Sequence, residues 1–353
     1  MLLKDVGEFT LLKDHIFPII SEVGGNLIGD DCAFLPLNET MSDLVITTDA
    51  GPKPLVMSLG YQSYYAWGWY TISVNVSDLA SAGAQPFTLS LSIDAPSEMQ
   101  VNQIEELYKG IRDACKHFNI SLSGGNIRAS KIFATHCTAI GFLKKDQTRI
   151  TRKHCLPDDI LVSIGYNGRF ISTYLKGQRF GLSKLSDLEL DILIKPDCEI
   201  AAMQDLAKYD FISSASDNSD GILGSVKNIA DASNCGFEFD LDQIKLPHYI
   251  MESANFNNLN PFNLFFFWGD WQVIATVKKN QFSEFMDVAK NKNITYTKLG
   301  RATSNGNLTA VHEKKIKGIN LLRNENFTEL SFNNEISNHV DYLLKSSLFN
   351  NEN

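Results

Sequence analysis

The chain of 353 residues predicts an α/β (α+β) protein of two domains. Three observations carry this. Strands marked by alternating apolar and polar residues take turns with helices marked by three- and four-residue spacing. The alternation runs through both halves, and a polar stretch near the middle resets it.

Leu44 to Thr48 is a β-rich run ending in Asp49. Phe87-Thr88-Leu89-Ser90-Leu91-Ser92-Ile93 swaps apolar and hydroxyl residues at every step, as a half-buried strand does. After Pro96-Ser97, Ile104, Leu107, Ile111, Cys115 and Phe118 recur at helical steps that stop near Asn119. Ile132 to Ile140 is again a strand. The polar segment Lys144 to Asp159, with Pro157-Asp158-Asp159, leads into a strand Ile160 to Ile164 and a turn Gly165 to Gly168, so the expected domains are 1–150 and 151–325. The second has strands Phe211 to Ala215, Phe237 to Leu241 and Gln272 to Val277, and a helix Ile222 to Asn234. Residues 326–353 form a tail with helical spacing at Ile336, Val340, Leu343 and Leu348.

At 44% hydrophobic and 21% charged, the composition is that of a globular protein with room for two cores, which excludes a disordered or fibrous chain. A formal charge of −9 argues against a nucleic-acid surface, which needs clustered Lys and Arg. No stretch is long and apolar enough for a membrane span or a signal peptide. The six cysteines lack a C-x-x-C pair, as free thiols in a reducing compartment would, and the expected location is the cytoplasm.

Four acidic signatures are spread along the chain: Gly29-Asp30-Asp31, Thr47-Thr48-Asp49, Asn75-Val76-Ser77-Asp78 and Asp217-Asn218-Ser219-Asp220-Gly221. Two unit charges about 4 Å apart repel by roughly 4 kcal/mol at an effective dielectric near 20. Aspartates gathered in one cleft therefore call for divalent cations, and hard oxygen ligands point to magnesium shared with nucleotide phosphates. Asp49 at a strand end is either a metal ligand or a capping residue. Asn75 and Asp78, three apart, share a helix face and either serve a site or close a helix turn. Asp217, Ser219 and Asp220 lie between a strand and a helix start, where unpaired N–H groups await an anion; an N-cap alone would need only one of them. Ser123-Gly124-Gly125-Asn126 reads as a Gly-Gly turn that lets a ligand approach the backbone. Neither a P-loop nor a Rossmann fingerprint is present. The aromatic run Phe262, Phe265, Phe266, Phe267, Trp268 and Trp271 reads as core, with a pocket wall left open by the adjacent Gly269-Asp270.

Taken in order, Ile28-Gly29-Asp30-Asp31, Thr47-Thr48-Asp49, Ser73 to Leu79, Gly124-Gly125-Asn126, Arg152 before Pro157, Asp217 to Gly221 and Leu299-Gly300 resemble the thiamine-monophosphate kinase family, within the superfamily of aminoimidazole ribonucleotide synthetase and selenophosphate synthetase. The resemblance implies a homodimer whose N-terminal mixed sheets pair into a barrel, with ATP and Mg2+ held between each N-terminal and C-terminal α/β domain. By position it assigns Asp31, Thr47, Thr48, Asp49, Asp78, Asp217 and Asp220 to metal, with Asp78, Asp217 and Asp220 essential for catalysis. It assigns Tyr108, Gly124, Gly125, Asn126, Arg152 and Ser219 to nucleotide.

The departures fall on the acceptor side. Lys53 and Val56 stand where the family has a Glu and a substrate-binding His, Gly269 (beside Asp270) where it has a Glu that contacts thiamine, and Ile319 where it has an aromatic residue. The expected activity is transfer of a phosphoryl group from ATP to a small acceptor, phosphorylated or not, that differs from thiamine monophosphate; thiamine monophosphate itself stays open. Two other readings stay open: a synthetase or cyclo-ligase that activates a carbonyl or amide oxygen, and a non-catalytic nucleotide-binding scaffold.

Overall fold

The computed structural model describes residues 10, 13–14, 32–36, 43–145, 147–327 and 336–350. Asp31 lies outside them. The first sheet is built from β1 (Ala33–Pro36), β2 (Asp43–Ala50), β3 (Gln85–Ala95), β4 (Ser121–Ala129) and β5 (Ala134–Phe142) in the order β1-β2-β5-β3-β4. Its neighbours are antiparallel except β3 and β4, which run parallel. The parallel pair follows from the crossover between them, which contains the amphipathic α2 (Val101–His117).

Helix α1 (Tyr64–Ser81) has little amphipathic character because it is buried on nearly every side. It starts at Ser63, whose hydroxyl accepts the Ala66 N–H at 3.1 Å. One side packs on the first sheet and on α2; the other is tied to the second half of the chain. The Tyr70 hydroxyl donates to the Leu193 carbonyl at 2.8 Å, and the Trp69 indole N–H and Ser73 hydroxyl both donate to the Pro196 carbonyl.

The second sheet takes the order β12-β11-β8-β10-β6-β9-β7, from β6 (Ile160–Ile164), β7 (Ile212–Asp217), β8 (Gly236–Asp240), β9 (Val273–Val277), β10 (Tyr296–Thr303), β11 (Leu308–His312) and β12 (Lys315–Gly318). β6 and β9 are nearly continuous apolar runs, buried on both faces as interior strands are. Helices α3 (Arg169–Phe180), α4 (Asp187–Ile194), α5 (Ile200–Leu206), α6 (Ile222–Ser233), α7 (His248–Asn257), α8 (Pro261–Phe265) and α9 (Phe282–Asn291) complete this half. The tail helix α10 (Ile336–Lys345) docks on it, burying Val340, Leu343 and Leu344, and Leu348 just after the helix is buried as well. The Asn263 side-chain amide holds the tail by donating to the Leu343, Leu344 and Ser346 carbonyls.

One local expectation is corrected. Ser123 to Asn126 is not a turn but the middle of β4, an edge strand whose residues are all exposed. A glycine pair tolerates the extended backbone as readily as a turn, and here pairing with β3 decides between them.

Candidate functional site

A cleft of about 700 Å³ opens between the two halves. The first half supplies Thr47, Thr48 and Asp49 from the end of β2, Lys53 from the following loop and Asp78 from α1. The second supplies Arg152, Asp217 from the end of β7, and Ser219 and Asp220 from the turn into α6. Aspartates from separate halves therefore face one space.

Each is held by its local structure. Residues alternate faces along β2, so Thr47 and Asp49 share the side that meets α1. The Thr47 hydroxyl donates to Asp78 Oδ2 at 2.5 Å, and the Asp49 backbone N–H donates to Asn75 Oδ1 at 3.0 Å. Asn75 and Asp78 thus clamp the strand end from one helix face, and Asn75 acts on the backbone rather than as a ligand. Thr48 points the other way, its hydroxyl paired with that of Thr138 at 2.9 Å.

In the second half the Ser219 hydroxyl lies 3.5 Å from Asp217 Oδ1, and the Ser225 hydroxyl, donating to the Asp217 carbonyl at 2.7 Å, pins the strand end to α6. The N-cap residue of α6 is Gly221, at φ 89°. A left-handed φ there requires glycine. The Arg152 guanidinium Nε lies 3.3 Å from the Ser216 hydroxyl, setting a fixed cation beside the carboxylates.

Asp78 and Asp217 are only 6% and 5% exposed, whereas Asp49 is exposed and Asp220 half-buried. Among the described residues no group of three or more His, Cys, Asp or Glu side chains closes into a metal cage. The donor set is nevertheless oxygen only. Carboxylates and hydroxyls spread along a cleft fit Mg2+ that arrives with phosphate oxygens as part of its shell, the way this ion is generally bound.

Other assigned residues lie elsewhere. Tyr108 on α2 faces a separate hollow against Leu122. Gly125 pairs with Leu91, Leu91 with Cys137 and Cys137 with Asp49, so Gly124, Gly125 and Asn126 sit three strands across the sheet from Asp49, about 14 Å away at one strand spacing per step. On the acceptor side, Val56 is fully buried. Ile319 is buried too, bridged to Phe349 of the tail. Gly269 and Asp270 face another hollow, on the far side of the turn from the cleft. The Asp270 carboxylate accepts the backbone N–H groups of Arg169 and Phe170 at 2.8 and 2.9 Å, which makes it the cap of α3. Burial raises its pKa to about 6 against the pull of Arg169. Burial and the nearby Asp197 likewise push Glu199, in the same region, up to about 7.

Residues without a sequence signal also line the cleft: Asn228 on α6, Asn324 and Asn326 after β12, and the aromatic side chains of Trp67, Tyr70 and Phe133; Trp268 and Trp271 join them. Of the aromatic run, Phe265, Phe266 and Phe267 are core, so they form no exposed interaction patch, while the two tryptophans are the pocket wall.

Residues 29–143 match the family model for the AIR synthase related protein N-terminal domain, and residues 157–313 that for its C-terminal domain. The chain is 27% identical over 305 residues to the thiamine-monophosphate kinase of Aquifex aeolicus, covering 82% of this chain and 92% of that one. A solved structure described as AaThiL complexed with AMPPCP and TMP superposes with a TM-score of 0.74 at 23% identity, over 89% of this chain and 96% of that one. The hydrogenase maturation protein HypE of E. coli shares the fold at TM-score 0.66 and 16% identity, over 88% and 98% of the two chains.

Proposed function

The chain belongs to the AIR synthase related family, and on that premise we propose that it is an ATP- and Mg2+-dependent phosphotransferase of the thiamine-monophosphate-kinase type with a changed acceptor. The observation that carries the reading is the convergence of Asp49 and Asp78 with Asp217, Ser219, Asp220 and Arg152 on one interdomain cleft. Asp49, Asp78, Asp217 and Asp220, with Thr47, would hold the metal, and Asp31 joins them by its position in the motif; the Thr48 side chain, turned to the other face of β2, would not. Bound Mg2+ neutralises phosphate charge. Arg152 and the Ser219 hydroxyl orient the triphosphate, and the clamps from Asn75 and Ser225 keep both carboxylate sets in place while it binds.

In the reaction a bond forms from an acceptor oxygen to the γ-phosphorus, and the bond from that phosphorus to the β–γ bridging oxygen breaks, ADP leaving with the electron pair. An acceptor phosphate is already anionic, so no general base is needed. Tyr108, Gly124, Gly125 and Asn126 lie beside the exposed β4 edge, and a second copy paired there would bring a nucleotide pocket and a homodimer together. Among the described residues no helix is long and apolar enough to cross a membrane, and six cysteines, none in a disulfide, suit a cytoplasmic setting.

The test is ATP consumption with thiamine monophosphate and a metabolite panel, with products read by mass spectrometry. The expected result is ADP and an acceptor heavier by one phosphoryl group. Inorganic phosphate released with ADP in step with acceptor consumption would make the chain a synthetase or cyclo-ligase; ATP binding without turnover would make it a scaffold. Rapid conversion of thiamine monophosphate would overturn the changed acceptor.

A further inference from the structure

We propose that the hollow between α3 and α7 is a second ligand site, sharing no residue with the interdomain cleft, and that it takes a small uncharged alcohol with adjacent hydroxyls at one end and an apolar arm at the other. It would do so whatever reaction the cleft performs.

Two hydroxyls define the site. Ser172 on α3 and Ser253 on α7 line the hollow from two packed helices, are 6% and 7% exposed, and carry side-chain oxygens that are buried with no hydrogen-bond partner among the described residues. A serine inside a helix commonly returns its proton to the carbonyl one turn back, as Ser73 does to Trp69 at 3.2 Å. Neither of these does. Folded chains leave few buried polar groups unmatched, and two that meet one hollow point to a partner from outside the chain.

The charges around the hollow select an uncharged partner. Lys176 is already paired with Glu189 of α4 at 2.5 Å, and Glu252 stands half in water, 3.8 Å from His248. An anion would face both carboxylates. A cation would meet Lys176 and find its counter-charge only in Glu252, where solvent leaves a pair worth little. A serine hydroxyl both donates and accepts, so it matches an alcohol without the desolvation cost of a buried charge. Tyr249 adds acceptor lone pairs, since its own proton goes to the Asn167 carbonyl at 3.0 Å. The remaining wall is apolar: Leu175 is buried, and Phe180 and Phe256, edge to face at 5.8 Å, stand about half exposed at the rim. Arg179 fixes that rim by donating to the Phe256 carbonyl at 2.5 Å. The space is about 120 Å³. At about 30 Å³ for each water in the liquid, that is room for a diol of about six heavy atoms and none for a nucleotide.

Four probes test the site on the full chain: butane-1,2-diol (hydroxyls and arm), ethylene glycol (hydroxyls alone), and butyrate and butylammonium (arm with a charge). Binding is followed by saturation-transfer NMR and by the shift in melting temperature. The butanediol should saturate with a dissociation constant of the order of millimolar, as so small a ligand allows. It should bind about tenfold more tightly than ethylene glycol, because each buried methylene contributes about fourfold, and more tightly than either charged analogue. Ser172→Ala combined with Ser253→Ala should weaken the butanediol by at least about tenfold through two lost hydrogen bonds, while the urea midpoint holds or rises because unmatched hydroxyls have gone. Failure of the butanediol to saturate, equal binding to the native chain and the double variant, or binding no tighter than that of ethylene glycol or a charged analogue would overturn the proposal. Should the double variant fail to fold, the ranking of the four probes on the native chain decides alone.

Discussion

Replacing Asp220 by Asn removes one negative charge from the cleft while keeping the side chain's shape. The backbone there is fixed independently: the Asp220 carbonyl accepts the Asn324 N–H at 3.0 Å, and Gly221 turns the chain into α6. A carboxylate about 4 Å from a divalent ion contributes roughly 8 kcal/mol at an effective dielectric near 20. Relief of repulsion with Asp217 and the other carboxylates offsets part of that, leaving about 3 to 4 kcal/mol, or a loss of roughly two to three powers of ten in turnover. Stability should move by no more than about 0.5 kcal/mol, because the side chain is half-buried and the main-chain contacts survive. The assay pairs steady-state ADP release, titrated with Mg2+, against urea unfolding of the same preparation. A variant retaining more than about a tenth of native turnover at saturating Mg2+, or one that unfolds, would refute the placement of Asp220 at the metal.

Stripping Mg2+ with a chelator should abolish tight ATP binding yet leave the melting temperature of the nucleotide-free chain within about 2 °C, since among the described residues no protein cage holds the ion; a large drop would reveal a structural metal. Gly269→Glu should cost more than about 2 kcal/mol in urea unfolding, from the left-handed φ and the Phe170 ring, and restoring the family's residue should gain no affinity for thiamine monophosphate. Asp270→Ala should destabilise by about 2 to 4 kcal/mol through loss of a doubly bonded cap and of a buried partner for Arg169, read by thermal or urea melts. The Glu199 pKa, about 7 when folded against 4.5 ordinarily, means the folded chain holds that proton more tightly. Its contribution is fully present below pH 4.5 and lost as pH rises through 7, up to about 3 kcal/mol and less for a partly exposed group. Glu199→Gln should flatten that part of the stability profile between pH 5 and 8; an unchanged slope would assign it to other groups.

Some of the site was legible along the chain because it is written in local periodicities. Alternation in β3 and the apolar stop before Asp49 mark strands and their ends, and the spacing of Asn75 and Asp78 puts both on one face of α1. Strand and helix ends are where side chains escape the backbone ladder, so acidic residues there stand out without coordinates. The partner of each face was not legible. Val56 follows the same loop as Lys53 yet is buried, Ile319 is bridged to Phe349 some thirty residues on, and Asp270 turns away from the cleft to cap α3. The Gly-Gly pair had equal local claims to turn and strand until β3 lay alongside it.

The amino-acid order alone determined the α/β character and a set of hard oxygen donors placed at element ends, because these depend on residues a few positions apart. Only the tertiary structure decided that donors from both halves face one cleft, and that Trp271 rather than Gly269 or Asp270 walls it. Those outcomes depend on which surfaces the two sheets bury against α1, α3 and α6, contacts between residues tens to hundreds of positions apart that no local period encodes.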